Sequence, residues 1–129
     1  MTGKTRVLAI DDNLQMLKEF EQFLVPKYDL RVAKSASDAI AFLNKQSCEV
    51  ILLDIDMPNI DGFYFLNDIR KIPSYFDVPI IIVSGNKGEE FLNKARNSSA
   101  NDVLTKPITQ DLLLSSIQRA MAKLQNNNT

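Results

Sequence analysis

The sequence predicts an α/β protein, a single doubly wound (βα)5 domain built on a five-stranded parallel sheet of order 2-1-3-4-5. Three observations carry that prediction. Five short runs rich in Val, Ile and Leu recur along the chain, an amphipathic stretch with helical spacing follows each, and two of the runs are apolar on both faces. A sheet wetted on one side has no need of such runs, whereas the middle of a parallel sheet covered by helices requires them. Right-handed crossovers between successive strands then place helices on both faces.

The first strand is Arg6-Val7-Leu8-Ala9-Ile10, and Leu14, Leu17, Phe20 and Leu24 give the apolar stripe of the helix after it. Leu30-Arg31-Val32-Ala33 forms the second strand. Ser35 with Asp38 is similar to a capping box and opens a helix carrying Ala39, Ile40 and Leu43. Val50-Ile51-Leu52-Leu53 and Pro79-Ile80-Ile81-Ile82-Val83 are the doubly apolar third and fourth strands, separated by a helix with Phe65, Leu66 and Ile69. Phe91 and Leu92 lie early in the fourth helix, where core packing is favoured over a partner-docking patch. Val103-Leu104 is a weaker fifth strand. Thr109, with Ile108 before it and Leu113 four residues after, has the cap-and-staple pattern of the last helix, whose stripe is Leu112, Leu113, Ile117 and Met121. Residues 1–129 read as one domain with an ordered core over about 5–124 and a frayed polar tail over 125–129.

Composition narrows the function. The 15 basic and 16 acidic side chains give a net charge of -1, which lacks the electrostatic footprint of a nucleic-acid binder. No apolar run approaches the ~18 residues of a membrane span, and no signal segment opens the chain, so a cytoplasmic location is expected. The single cysteine, Cys48, cannot form an internal disulfide and reads as structural. There is no histidine, so imidazole is excluded as nucleophile, base or ligand. Any metal must be held by oxygen, which favours hard ions such as Mg²⁺.

In an open parallel sheet, ligands bind beyond the carboxyl ends of the strands. The first strand here ends in Asp11-Asp12, the third in Asp54-Ile55-Asp56, the fourth in Ser84-Gly85-Asn86 and the fifth in Lys106-Pro107. Taken singly, each has an ordinary reading: a helix cap, a turn start, a turn hydroxyl, a solvated lysine. Placed at one crevice they form a chemical set. Clustered carboxylates repel one another unless a cation neutralises them, and Mg²⁺ needs only one or two carboxylates with waters and phosphate oxygens. Asp12 and Asp54 are assigned as direct ligands and Asp11 as an acid acting through water. Asp54 is the candidate nucleophile toward a phosphoryl group, giving an aspartyl phosphate. Lys106 would pair with one phosphoryl oxygen and the Ser84 hydroxyl would donate to another.

Ile10-Asp11-Asp12, Leu53-Asp54-Ile55-Asp56-Met57-Pro58 with Asp61-Gly62, Val83-Ser84-Gly85 and Leu104-Thr105-Lys106-Pro107 resemble the signature blocks of response-regulator receiver domains. The blocks occur in that family's order and span essentially the whole chain. The resemblance implies a flavodoxin-like receiver fold and a phosphoacceptor that catalyses only its own phosphorylation and dephosphorylation. It implies that the Asp56 backbone carbonyl is a further ligand to Mg²⁺ and that the Lys106–Pro107 bond is cis. It also implies that Asp56 and Asn86 flank the path of attacking water and tune the lifetime of the phosphoryl group. The implied partners are a sensor histidine kinase or phosphotransfer protein and a downstream effector domain or protein. Signalling would leave through the fourth helix, fifth strand and fifth helix, a surface that also leaves homodimerisation open.

One position departs from the family. Receiver domains usually carry Tyr or Phe three residues before the lysine, where this chain has Val103. A β-branched side chain is stiff and has no ring to swing, so switching is expected to rest on Ser84 and the loop Gly85-Asn86-Lys87-Gly88. Two rival functions share parts of the pattern. A haloacid-dehalogenase-like phosphatase also uses Asp-x-Asp, but there the Asp-x-Asp strand comes first and the acidic pair last, and the chain has no room for a cap domain. A non-phosphorylated flavodoxin-like module would need a Gly/Ser/Thr-rich phosphate loop after the first strand, which is missing.

Overall fold

A computed structural model describes the backbone over residues 3–127 and the side chains through Lys123. The strands are β1 (Arg6–Ile10), β2 (Asp29–Ala33), β3 (Val50–Asp54), β4 (Ile80–Ser84) and β5 (Asp102–Thr105). The helices are α1 (Leu14–Leu24), α2 (Ala36–Lys45), α3 (Gly62–Arg70), α4 (Glu89–Arg96) and α5 (Gln110–Asn127), with one 3₁₀ turn at Pro73–Tyr75. All strand pairs are parallel, in the predicted order β2-β1-β3-β4-β5.

Every residue of β3 and β4 is buried. Alternation along these strands sends side chains to two cores, as a period of two requires. Val7, Ala9, Val50, Leu52, Ile81 and Val83 meet α1 and α5 on one face. Leu8, Ile10, Ile51, Leu53, Ile80 and Ile82 meet α2, α3 and α4 on the other. With each fully buried Ile, Leu or Val contributing about 1.5–3 kcal/mol, these central strands anchor the molecule and hold their carboxyl ends in register.

The predicted caps form: Ser35 accepts from Asp38 N at 3.0 Å, and Thr109 Oγ1 from Leu112 N at 3.2 Å. Two predicted stripe residues are corrected. Leu14 is 56% and Leu112 54% exposed, while Met16 and Ala120 take core positions. Each of these leucines lies in the first turn of its helix, ahead of the first residues that reach the core, Met16 in α1 and Leu113 in α5. Helix α5 continues through Asn127, because Gln and Asn carry the backbone hydrogen bonds of a helix and no Gly or Pro interrupts them. Met1, Thr2, Asn128 and Thr129 of the predicted domain lie outside the described residues.

At the amino end of the sheet, Arg70 ties four segments together. Its guanidinium donates to the carbonyls of Tyr75 (3.2 Å), Val78 and Ser99 (2.8 Å), to Ser99 Oγ (3.3 Å) and to Asn101 Oδ1 (3.2 Å). Asn101 Oδ1 also accepts from Ile80 N at 2.9 Å, which fixes the entry into β4. Tyr75 Oη donates to the Gln46 carbonyl at 2.7 Å, and Arg6 pairs with Asp29 at 2.9 Å. Cys48 is buried nearby, its thiol pushed up to about 12 chiefly by burial and further by Glu49.

Candidate functional site

Register alone brings the chemistry together. Ile10 lies beside Leu53, Asp54 beside Val83, and Ser84 beside Thr105, so Asp11, Asp54, Ser84 and Lys106 all emerge at one end of the sheet. Lys106 N donates to the Ser84 carbonyl at 2.7 Å, and the Lys106–Pro107 bond is cis, as is Val25–Pro26.

Asp11 leaves β1 with its backbone N bound to the Ala33 carbonyl at 3.0 Å. The cap of α1 is Asn13, whose side chain accepts from Met16 N at 3.1 Å, so neither acid of the Asp11-Asp12 pair is needed for capping. Asp11 Oδ1 accepts from Asn13 N at 2.9 Å. Its Oδ2 is buried and accepts no hydrogen bond from any described residue. The nearest counter-charge to that oxygen is Lys106 Nζ at 3.6 Å, beyond hydrogen-bond distance, so an ion-pair attraction alone offsets its lost hydration.

Asp54 ends β3 and is 5% exposed. One of its oxygens accepts from Asp56 N at 2.9 Å. Burial pushes its carboxyl up to about 6, with Asp11 adding to the shift and both the Asp56 amide and Lys106 opposing it. Lys106 Nζ stands 3.6 Å from Asp11 and 3.9 Å from Asp54. Asp11, Asp12 and Asp54 each offer a carboxylate oxygen, all within 4.8 Å of one another, with Asp12 exposed at the mouth. Three carboxylates face one ammonium, and an orphaned acceptor points among them. Oxygen donors with a charge deficit of this kind fit a hard divalent cation. The turn after Asp54 is held tightly, since a Cβ on Gly62 would collide with the Ile55 carbonyl and lie 2.6 Å from Ile55 Cγ1.

The Ser84 hydroxyl donates to Asp56 Oδ2 at 2.6 Å, and the Gly85 amide donates to the same oxygen at 3.2 Å. Ser84 Oγ in turn accepts from Asn86 N at 3.0 Å, and Asn86 Oδ1 from Gly88 N at 2.8 Å. The sequence placed Asp56 and Asn86 near the site but carried no sign that they form one chain of hydrogen bonds. Val103 is half-buried against the core on the α4 side, where Phe91 also packs, its ring 5.8 Å from that of Phe63.

The chain matches the response regulator receiver domain family over residues 7–118. It belongs to that family. This receiver is 28% identical to the protein PilH of Pseudomonas aeruginosa over 91% of its own length and 98% of that relative. It is also 30% identical to the CAI-1 autoinducer sensor kinase/phosphatase CqsS of Vibrio cholerae, over 87% of the chain and 17% of that protein. The receiver thus spans only a small part of some curated relatives and nearly all of others. The chemotaxis response regulator CheY4 of Vibrio cholerae superposes with a TM-score of 0.83 at 27% identity, covering 91% of this chain and 98% of that one. A CheY-like receiver domain from Methanospirillum hungatei shares the fold, with a TM-score of 0.85 at 23% identity over 97% of this chain and 99% of that one. The protein is a phosphoacceptor signalling domain of the two-component type, and neither the phosphatase nor the flavodoxin reading is favoured. Receiver domains work with sensor kinases and output domains. Among the described residues, no helix is long and apolar enough to cross a membrane.

Proposed function

We propose that Asp54 is the phosphoacceptor of this receiver and that Lys106 and Ser84 read its modified state. The observation that supports this most is Asp54 itself, a buried carboxylate at the end of a central strand, facing an ammonium and two further acids. Asp12 and Asp54 would hold Mg²⁺ directly, Asp11 through water, and the Asp56 backbone carbonyl would complete the protein ligands. When bound, the ion supplies charge neutralisation to the cluster and to the oxygens of the transferring group.

An oxygen of Asp54 attacks the phosphorus of a phosphohistidine on a sensor kinase or phosphotransfer protein. The O–P bond forms as the P–N bond breaks, and the released electron pair stays on the imidazole, which takes up a proton. Lys106 offers a point charge to a phosphoryl oxygen, a role its 3.9 Å approach to Asp54 suits. Asp56 and Asn86, tied to Ser84 by hydrogen bonds, would tune hydrolysis of the aspartyl phosphate. Loop 85–88 leads directly into α4, so displacement of Ser84 would reach the α4–β5–α5 face and a downstream effector. With Val103 in place of an aromatic residue, that loop carries the signal without a swinging ring. The reading carries a cytoplasmic location, where ATP-fed kinases present their phosphohistidine. It does not extend to turnover on free substrates.

Incubation with acetyl phosphate and Mg²⁺ followed by intact mass measurement tests the assignment. One added phosphoryl group is expected in the wild type and none in Asp54→Asn. Undiminished incorporation in the variant would reject Asp54 as acceptor.

A further inference from the structure

We propose that Asp56 is a positioning residue that latches Ser84 in the unphosphorylated state, so that phosphoryl recognition proceeds by transfer of the Ser84 hydroxyl from Asp56 to the phosphoryl group. This rests on Asp54 as acceptor. A serine hydroxyl carries one proton. Here that proton is committed to Asp56 Oδ2 at 2.6 Å, a short, charge-assisted bond that a buried hydroxyl gives up only for a comparable acceptor. A phosphoryl oxygen on Asp54 is such an acceptor, and Ser84 cannot donate to both.

The bond does not stand alone. Asp56 Oδ2 also takes the Gly85 amide, Ser84 Oγ takes the Asn86 amide, and Asn86 Oδ1 takes the Gly88 amide, the last residue before α4. Asp56 is itself tied to the acceptor, its amide donating to Asp54 Oδ1 at 2.9 Å. A continuous path therefore runs from the phosphorylation site through Asp56 and Ser84 to the start of α4. Two discrete partners for one proton make a two-position element, which is what a population shift requires. The latch opposes the active arrangement in the resting protein, and its loss raises the resting population of that arrangement.

The test is a double-mutant cycle on Asp56→Ala and Ser84→Ala, read by NMR titration with trifluoroberyllate and Mg²⁺, the fluoride complex standing in for the phosphoryl group. Asp56→Ala is expected to tighten trifluoroberyllate binding about 10-fold in the wild type and to leave it unchanged in Ser84→Ala. A latch acting through Ser84 predicts that loss of effect, whereas mere repulsion between the Asp56 charge and the incoming anion would persist in both backgrounds. Equal effects in the two backgrounds, or none in the wild type, would overturn the latch. A second readout needs no ligand: amide hydrogen exchange at Gly85, Asn86 and Gly88 accelerates in Asp56→Ala while the β3 and β4 amides stay protected. Unchanged exchange there overturns the latch even in a folded variant. Failure of wild-type protein to bind trifluoroberyllate at all sinks the acceptor assignment instead, and the exchange measurement still decides whether Asp56 holds Ser84.

Discussion

The two ends of the sheet are built to opposite rules. At the amino end, Arg70, Asn101, Tyr75 and the Arg6–Asp29 pair find partners, and the strands enter the core through a closed set of hydrogen bonds. At the carboxyl end, Asp11, Asp12 and Asp54 gather near Lys106, and the buried Asp11 Oδ2 accepts no hydrogen bond among the described residues. The contrast teaches that this fold concentrates satisfaction where it needs rigidity and leaves a deficit where it needs a ligand. The same strands connect the two ends, so stability gained at one supports strain held at the other.

Removing the hub of the satisfied end should have the largest effect. Arg70→Ala leaves the carbonyls of Tyr75, Val78 and Ser99 unpaired, and urea unfolding is expected to show a loss of about 3 kcal/mol with phosphoryl uptake by the folded fraction retained. The unsatisfied end should answer with the opposite sign. Asp54 carries a folded-state pKa of about 6 against an ordinary 3.8, so its favourable contribution is complete below about 4 and disappears as pH rises through about 6. Asp54→Asn, which cannot ionise, should therefore be more stable than wild type by on the order of 2 kcal/mol at pH 7. That gain should vanish near pH 4, and a variant less stable than wild type at pH 7 would contradict the contrast.

Metal binding sharpens the comparison. Mg²⁺ at about ten times its dissociation constant should stabilise the wild type by about 1.4 kcal/mol at pH 7. Below pH 6, protons compete for Asp54, so thermal denaturation should show a smaller Mg²⁺-dependent rise in Tm at pH 5. Arg70→Ala should keep this response and Asp54→Asn should lose most of it. The smallest effect belongs to Tyr75→Phe, which removes a single hydrogen bond to the Gln46 carbonyl and should cost about 1 kcal/mol without changing the Mg²⁺ response.

The sheet and the acid-rich crevice were legible because both follow from local pattern. Runs of Val, Ile and Leu name buried strands whatever surrounds them, and residues just past a strand's end must emerge at the same edge. What stayed hidden depends on partners far along the chain. Arg70 at a helix end reads as a solvated cation until Val78 and Ser99 are folded around it. Leu14 and Leu112 look like core residues because apolar character says nothing of rotation about a helix axis in its first turns. Ser84 lies at the end of β4, but the bond of its hydroxyl to Asp56 turns on one rotamer and on the path of the following loop. Neither is written in residue identity.

Cys48 gives the molecule an internal clock for its own unfolding. Because this lone sulfhydryl is sealed in the core and resists ionisation, alkylating reagents reach it only when the surrounding structure opens. At a fixed pH, its modification rate therefore reports how often that structure opens.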